Sequence, residues 1–387
     1  MVNYRDHFST GNVFNYNKII IIGNGFDVAL GLESSYCDFM AYYLKQLIIN
    51  SIESKGSNIK VGIKYNYYED DLFHVGLHFK PDPLFAFDGL KNLDKLSSSE
   101  IKKKIINHKY FKIVPKGEFI SELLNDFLLK NWVEIESLYF EQIYSERNNL
   151  DVIKQFNKQL KFFKSVFIEY LKLKTGKFQL KKPLIEEFNE VFSRELEYEK
   201  INPEVSFIYS KVSKLYFLNF NYTDLLGRIL KESALEEKKY IINNIHGSID
   251  EKDFNIDNII FGYGDKDSEK FKELLSLNQN SLLENFKTFH YKARAGQNYD
   301  SLMKMINGNS IFQVIVIGHS CQLSDKALLK DIMLNENCFS VNLFHYKGVD
   351  EFLVKSMELN RISGVGDVLG SKIFRFDEKD SIPQSKK

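Results

Sequence analysis

The chain carries no excess of charge of either sign: 52 Lys and Arg stand against 52 Asp and Glu, with an isoelectric point near 7.1. That balance removes the overall basic field on which non-specific binding to nucleic acid or to an anionic membrane depends. Cysteine is scarce, and Cys37, Cys321 and Cys338 show no C-x-x-C spacing. Neither a disulfide framework nor a thiolate zinc cluster is indicated, and the three read as small apolar fillers. No run approaches the roughly 18 consecutive apolar residues of a membrane-spanning helix. The start, Met1-Val2-Asn3-Tyr4-Arg5-Asp6, lacks the charged-then-apolar layout of a signal peptide, so a cytoplasmic location is expected. Absent too are HExxH, a Cys/His pair at zinc spacing and a calcium-loop pattern, so no metal is expected. The many Phe and Tyr residues recur at no fixed period, which argues against a solenoid or propeller.

What is present suits a globular protein. Of 387 residues, 44% are hydrophobic, enough for a sizeable core in two or three domains or in one α/β domain with an insertion. Lys18-Ile19-Ile20-Ile21-Ile22 is an uninterrupted β-branched run ending at Gly23, the pattern of a strand buried on both faces in a parallel sheet. After the turn Gly23-Asn24-Gly25-Phe26-Asp27, apolar residues from Tyr36 to Ile48 recur at helical period, with Ser35 and Asp38 spaced as a capping box. Residues 60–99 read as irregular, broken by Lys80-Pro81-Asp82-Pro83, and amphipathic helices are predicted near 118–130 and 151–172. Strand signals return at Leu215–Leu218, Tyr240–Ile242, Ile259–Phe261 and Ile311–Ile317, with a helical pattern over Asp325–Leu334. The predicted fold is α/β, a Rossmann-like doubly wound parallel sheet from residues 1–50 and 205–376. A mostly helical insertion over 51–204 interrupts it, and the charged tail 377–387 is expected to be disordered.

In such sheets ligands bind beyond the carboxyl ends of the strands, where glycine turns and helix N-termini converge. The unusual residues collect at those ends: Gly23 to Asp27, Asn219 to Thr223, His246-Gly247, Gly262 to Gly264 and Gly318 to Asp325. Gly23-Asn24-Gly25 matches the start of the dinucleotide fingerprint, but Val28 stands at its third glycine. A carboxylate facing a pyrophosphate would repel it, so Asp27 is expected to face a ribose or water, or to cap the next segment. Gly318-His319-Ser320-Cys321-Gln322 lies between strand and helix and invites a nucleophile-elbow reading with Asp331 and His345. Gln322 stands where that motif needs a small residue. His290 to Arg294 supplies positive charge that can meet phosphates or merely face water. Trp132 reads as a packing anchor, and Glu136, four residues on, as surface charge or part of a lid.

Gly23-Asn24-Gly25-Phe26-Asp27 with Gly31-Leu32 and Ser35-Tyr36-Cys37-Asp38-Phe39 resembles the N-terminal hallmark of the AbiH-type bacteriophage abortive-infection proteins. Trp132-Val133-Glu134-Ile135-Glu136, Phe220-Asn221-Tyr222-Thr223, His246-Gly247 and Gly318-His319-Ser320 with Ser324-Asp325 resemble that family's later motifs, in order. The motif order is also similar to that of sirtuin-like NAD-binding domains. The resemblance implies a sirtuin-like NAD+ hydrolase giving ADP-ribose and nicotinamide, with Asn221 and His246 as catalytic residues. It implies cofactor-binding roles for Gly23, Asn24, Gly25, Phe26, Asp27, Tyr222, Gly318, His319, Ser320 and Asp325. It departs from sirtuins at Asn24, Phe26-Asp27 and Thr223, and in lacking their zinc-binding cysteines.

No cofactor is expected beyond NAD+ as substrate. The expected partners are NAD+ or a related nucleotide, a phage-derived trigger and further copies of the chain. The competing functions are a non-catalytic nucleotide-binding sensor of a defence system and a nuclease or phosphohydrolase. The chemistry suits the residues: a bond that breaks through an oxocarbenium-like state needs a held ribose and one placed water. Asn can orient that water, and His titrates nearest neutral pH.

Overall fold

The computed structural model describes residues 14–54, 56–77, 98–106, 111–130, 134–197, 210–233, 235, 240–363 and 369–385. Trp132 and Lys80 to Pro83 lie outside the described residues. The chain divides into two compact units, residues 1–32, 171–273 and 285–387 in the first and 33–170 with 274–284 in the second.

The first unit is built on β1 (Phe14–Ile22). The strands of the second unit follow in the chain: β2 (Gly56–Asn58), β3 (Ile63–Glu69), β4 (Phe73–Leu77) and β5 (Phe111–Pro115). The first unit then resumes with β6 (Ser210–Asn219), β7 (Tyr240–Asn244), β8 (Phe312–Ile317) and β9 (Cys338–Leu343). Its sheet runs β7-β6-β1-β8-β9 with every neighbouring pair parallel. Counted along the chain within this sheet, that order is third, second, first, fourth, fifth, so the direction of winding reverses between β1 and β8. The fold is thus Rossmann-like, with its switch point between those two strands.

Alternation along β1 explains why the sheet is buried on both faces. Ile19 and Ile21 belong to one apolar cluster with Leu218, Val314, Val316 and Val341. Ile20 and Ile22 belong to another with Phe217, Ile315 and Ile317. Period-2 geometry sends successive side chains to opposite faces, so a continuous apolar run fills two cores at once.

Ile259–Phe261, read from sequence as a strand, is not one. Gly262 turns the backbone to φ 146° immediately after it, and the local pairing reduces to a single parallel bridge between Tyr263 and Phe286. The tail is also ordered where disorder was expected, through Ser385. The Ile382 N–H donates to the His345 carbonyl at 2.9 Å and the Ser385 N–H to that of Ala29 at 2.7 Å, while Ile382 joins the core. Arg194 pairs with the buried Asp380 at 2.7 Å, a partner 186 residues away that the tail's own composition does not reveal.

The second unit holds the helices Tyr36–Glu53, Ser98–Ile106, Glu118–Leu129, Ile135–Ser145 and most of Leu150–Gly176. Ser35 caps the first of these, its hydroxyl accepting from the Asp38 N–H at 3.1 Å. Phe39 packs against Tyr43, Phe163, Phe167 and Tyr170 with ring centroids 5.1–5.5 Å apart. The antiparallel sheet β2-β3-β4-β5 makes this unit less helical than its sequence suggests. Along β3 only Ile63 is buried, so the alternation that marks a strand is faint there.

Candidate functional site

The carboxyl ends of β1, β6, β7 and β8 bring most of the expected residues to one edge of the parallel sheet. Two turns meet at the switch point. The Gly23 N–H donates to the Ile317 carbonyl at 3.1 Å and the Gly25 N–H to that of Gly318 at 2.8 Å. A Cβ on Gly25 would stand 2.8 Å from the Gly318 Cα and carbonyl oxygen, which is why glycine is needed there. The Phe26 N–H returns to the Gly23 carbonyl at 2.9 Å, so this turn spends these donors internally. Phe26 itself is fully buried against Phe188 and Phe192, with centroids 4.8 and 6.5 Å away, and serves the core. Asn24 and Gly25 are half-buried.

Asp27 is buried. It accepts from Asn221 Nδ2 at 2.9 Å and Thr223 Oγ1 at 2.5 Å, tying the first turn to the end of β6. Asn221 Nδ2 also donates to the Gly23 carbonyl at 3.1 Å. Both amide hydrogens of Asn221 are therefore used, and its carboxamide oxygen is the part available to an incoming hydroxyl or water. Burial pushes the Asp27 carboxyl up to about 7, against the pull of Thr223 and Asn221. Because the folded value lies above the ordinary 3.8, the fold favours the protonated acid. The resulting stability is complete below pH 4 and is lost as pH rises through 7. Urea unfolding across this range is expected to show a decline of a few kcal/mol that Asp27→Asn removes; parallel profiles for the two proteins would refute the assignment.

The second cluster centres on Asp325, at the N-cap position of the helix Lys326–Met333, where its side chain makes no capping bond. It turns instead to Lys287 Nζ at 2.8 Å, His246 Nε2 at 3.4 Å and His319 Nε2 at 3.6 Å. The Cys321 N–H donates to His319 Nδ1 at 3.0 Å, so the proton of this imidazole sits on Nε2, toward the carboxylate. His246 Nε2 also lies 3.0 Å from the Tyr291 hydroxyl, and its ring stacks between those of Tyr222 and Tyr291. The Phe220 ring meets both imidazoles edge-on, 5.0 Å from His246 and 4.4 Å from His319. Burial works to raise the Asp325 pKa, but the Lys287 ammonium and the two imidazoles hold it well below the carboxylate range. An ammonium 2.8 Å from the carboxylate stands where a cation would bind.

Lys287 and Tyr291 were not legible as site residues. They lie one turn apart on the helix Lys287–Arg294 and so share a face, placed by the Lys287 N–H donating to the Tyr263 carbonyl at 2.9 Å. The i, i+4 spacing is the only signal in the sequence, and Tyr291 sits within the run read there as positive charge. Tyr222 donates its hydroxyl to the Ile260 carbonyl at 3.1 Å, and Ser320 is half-buried. The nucleophile-elbow triad is not assembled. His345 holds the Asp377 carbonyl through Nε2 at 3.0 Å and accepts the Gly348 N–H on Nδ1, while Asp331 pairs with Lys266 at 3.8 Å. Glu136 is buried in the second unit. Cys321 and Cys338 are buried, and burial pushes both thiols to about 12, as suits inert fillers.

Among the described residues, no helix is long and apolar enough to cross a membrane. A family model described as bacteriophage abortive infection AbiH matches residues 19–346, a span containing every residue of this site. No curated protein matches the chain.

Proposed function

The chain belongs to the bacteriophage abortive infection AbiH family, and from that premise we propose that it serves phage defence by hydrolysing NAD+ at the nicotinamide–ribose bond. The observation that carries this reading is that Asn221 and His246, the latter beside a buried carboxylate, follow the carboxyl ends of the adjacent strands β6 and β7 of a Rossmann-order sheet. In the reaction, the bond between the ribose C1′ and the pyridinium nitrogen breaks and its electron pair neutralises the departing nicotinamide. A water oxygen bonds to C1′ and its proton passes to His246. Asp325, whose carboxylate lies 3.4 Å from His246 Nε2, stabilises the imidazolium that this transfer creates. The Asn221 carboxamide oxygen, its amide hydrogens committed to Gly23 and Asp27, orients the water or a ribose hydroxyl by accepting from it.

Purified protein is expected to release nicotinamide and ADP-ribose from NAD+, followed by chromatography. His246→Ala and Asn221→Ala are each expected to slow release at least about a hundredfold, the scale of one lost acid–base or orienting group. Release unchanged in both variants would refute the assignment of roles. A second reading, a nucleotide sensor without turnover, is favoured by the near-complete burial of Asn221 and His246, 6% and 3% exposed. NAD+ binding by calorimetry with no product would select it. Neither binding nor turnover would refute both.

A further inference from the structure

The helix Val349–Ser363, which follows β9, buries Lys355, Leu359 and Ile362 on its inner face. Its outer face is not the polar stripe that an amphipathic surface helix presents. Val349, Leu353, Val354 and Met357 are 48%, 46%, 56% and 52% exposed, and they form one contiguous apolar strip. The strip has a charge at each end. Asp350, Val354, Met357 and Arg361 are spaced by four, three and four residues and therefore lie along a single line on the helix. Asp350 is exposed, and Arg361, with its side chain 62% exposed, pairs along its own helix with Glu358.

We infer that this face is the contact between two copies of the chain, packed antiparallel about a two-fold axis. An axis between positions 355 and 356 pairs Val354 with the partner's Met357. The same axis sets Asp350 against the partner's Arg361, since both pairs are centred on the same point of the helix. A self-complementary strip of this kind closes as an isologous dimer and needs no second surface. A parallel arrangement would instead set like charges side by side. The helix is about 22 Å long, so two such faces bury less than a standard interface, and the dimer is a concentration-dependent one. This assembly does not depend on the NAD+ reading.

The test is sedimentation equilibrium of the full chain from roughly 1 to 300 µM, which brackets a micromolar contact. A monomer–dimer equilibrium is expected. Asp350→Arg and Arg361→Asp alone should each weaken it at least about tenfold, because each places like charges together twice. The double variant Asp350→Arg/Arg361→Asp restores the pairing and should return to within about threefold of the original protein. Met357→Glu should leave only monomer. Circular dichroism establishes that each variant is folded. A wild-type chain that stays monomeric throughout overturns the inference, as does a dimer unmoved by Met357→Glu or one that the double variant fails to restore.

Discussion

Asp325→Asn is expected to cost about 3–5 kcal/mol of folding stability, the scale of leaving one buried charge without its counter-ion. Lys287 is 1% exposed, and its ammonium stands 2.8 Å from the carboxylate that the substitution neutralises. An Asn oxygen can accept one hydrogen bond but returns no charge. Lys287→Met should cost less, because the Asp325 carboxylate keeps His246 Nε2 and His319 Nε2 beside it, at 3.4 and 3.6 Å. In the double variant Lys287→Met/Asp325→Asn no ammonium is stranded, so it should be more stable than Asp325→Asn alone. Urea unfolding at neutral pH measures all three. The pH dependence carries the opposite sign to that of Asp27. Since the Asp325 pKa is held below its ordinary 3.8, its contribution is present above that value and is lost as pH falls below it. The gap between wild type and Asp325→Asn should therefore narrow in acid. A single variant as stable as wild type at neutral pH would refute the charge pairing.

Gly318→Ala is expected to prevent folding or to cost at least about 3 kcal/mol, as backbone clash and strain combine. Gly318 takes φ 68°, a conformation that L residues adopt rarely. Its Cβ would lie 2.1 Å from the Phe26 nitrogen and 2.6 Å from the Gly25 carbonyl carbon, both backbone atoms that no rotamer change can move. The clash falls where the β1 and β8 turns bond to one another, so relieving it means parting the hydrogen bond from Gly25 to Gly318. Gly296 is the matched control. A Cβ there meets nothing within 4 Å, and Gly296→Ala should stay within about 1 kcal/mol of wild type. Soluble yield and the urea midpoint compare the two; a Gly318→Ala protein with an unchanged midpoint would refute the close approach of the turns.

The phage-defence role rests on the family, and the proposed chemistry on two clusters that differ in how far the sequence reveals them. Asn221, His246 and Asp325 each follow a strand or open a helix, so their placement at the sheet edge could be anticipated from local pattern. Lys287 could not be, because nothing within its helix marks a lysine that turns inward to a carboxylate 38 residues away. Asp27 was legible as unusual, but its bonding partners Asn221 and Thr223 lie almost 200 residues downstream.

By itself the sequence determined the strands that fill two cores, β1, β6 and β8 among them, and the capped helix after Ser35. It also carried the family signature. These are properties of adjacent residues, since a β-branched run or a helical period stabilises one backbone geometry wherever the segment lies. Only the tertiary structure decided the strand order with its switch point and the loss of strand at Ile259–Phe261. The antiparallel sheet of the second unit, the seated tail and the Lys287–Asp325–His246 cluster were decided there as well. Each of these depends on which distant groups satisfy a buried charge, an open backbone donor or an apolar surface, and such pairings leave no local pattern to read.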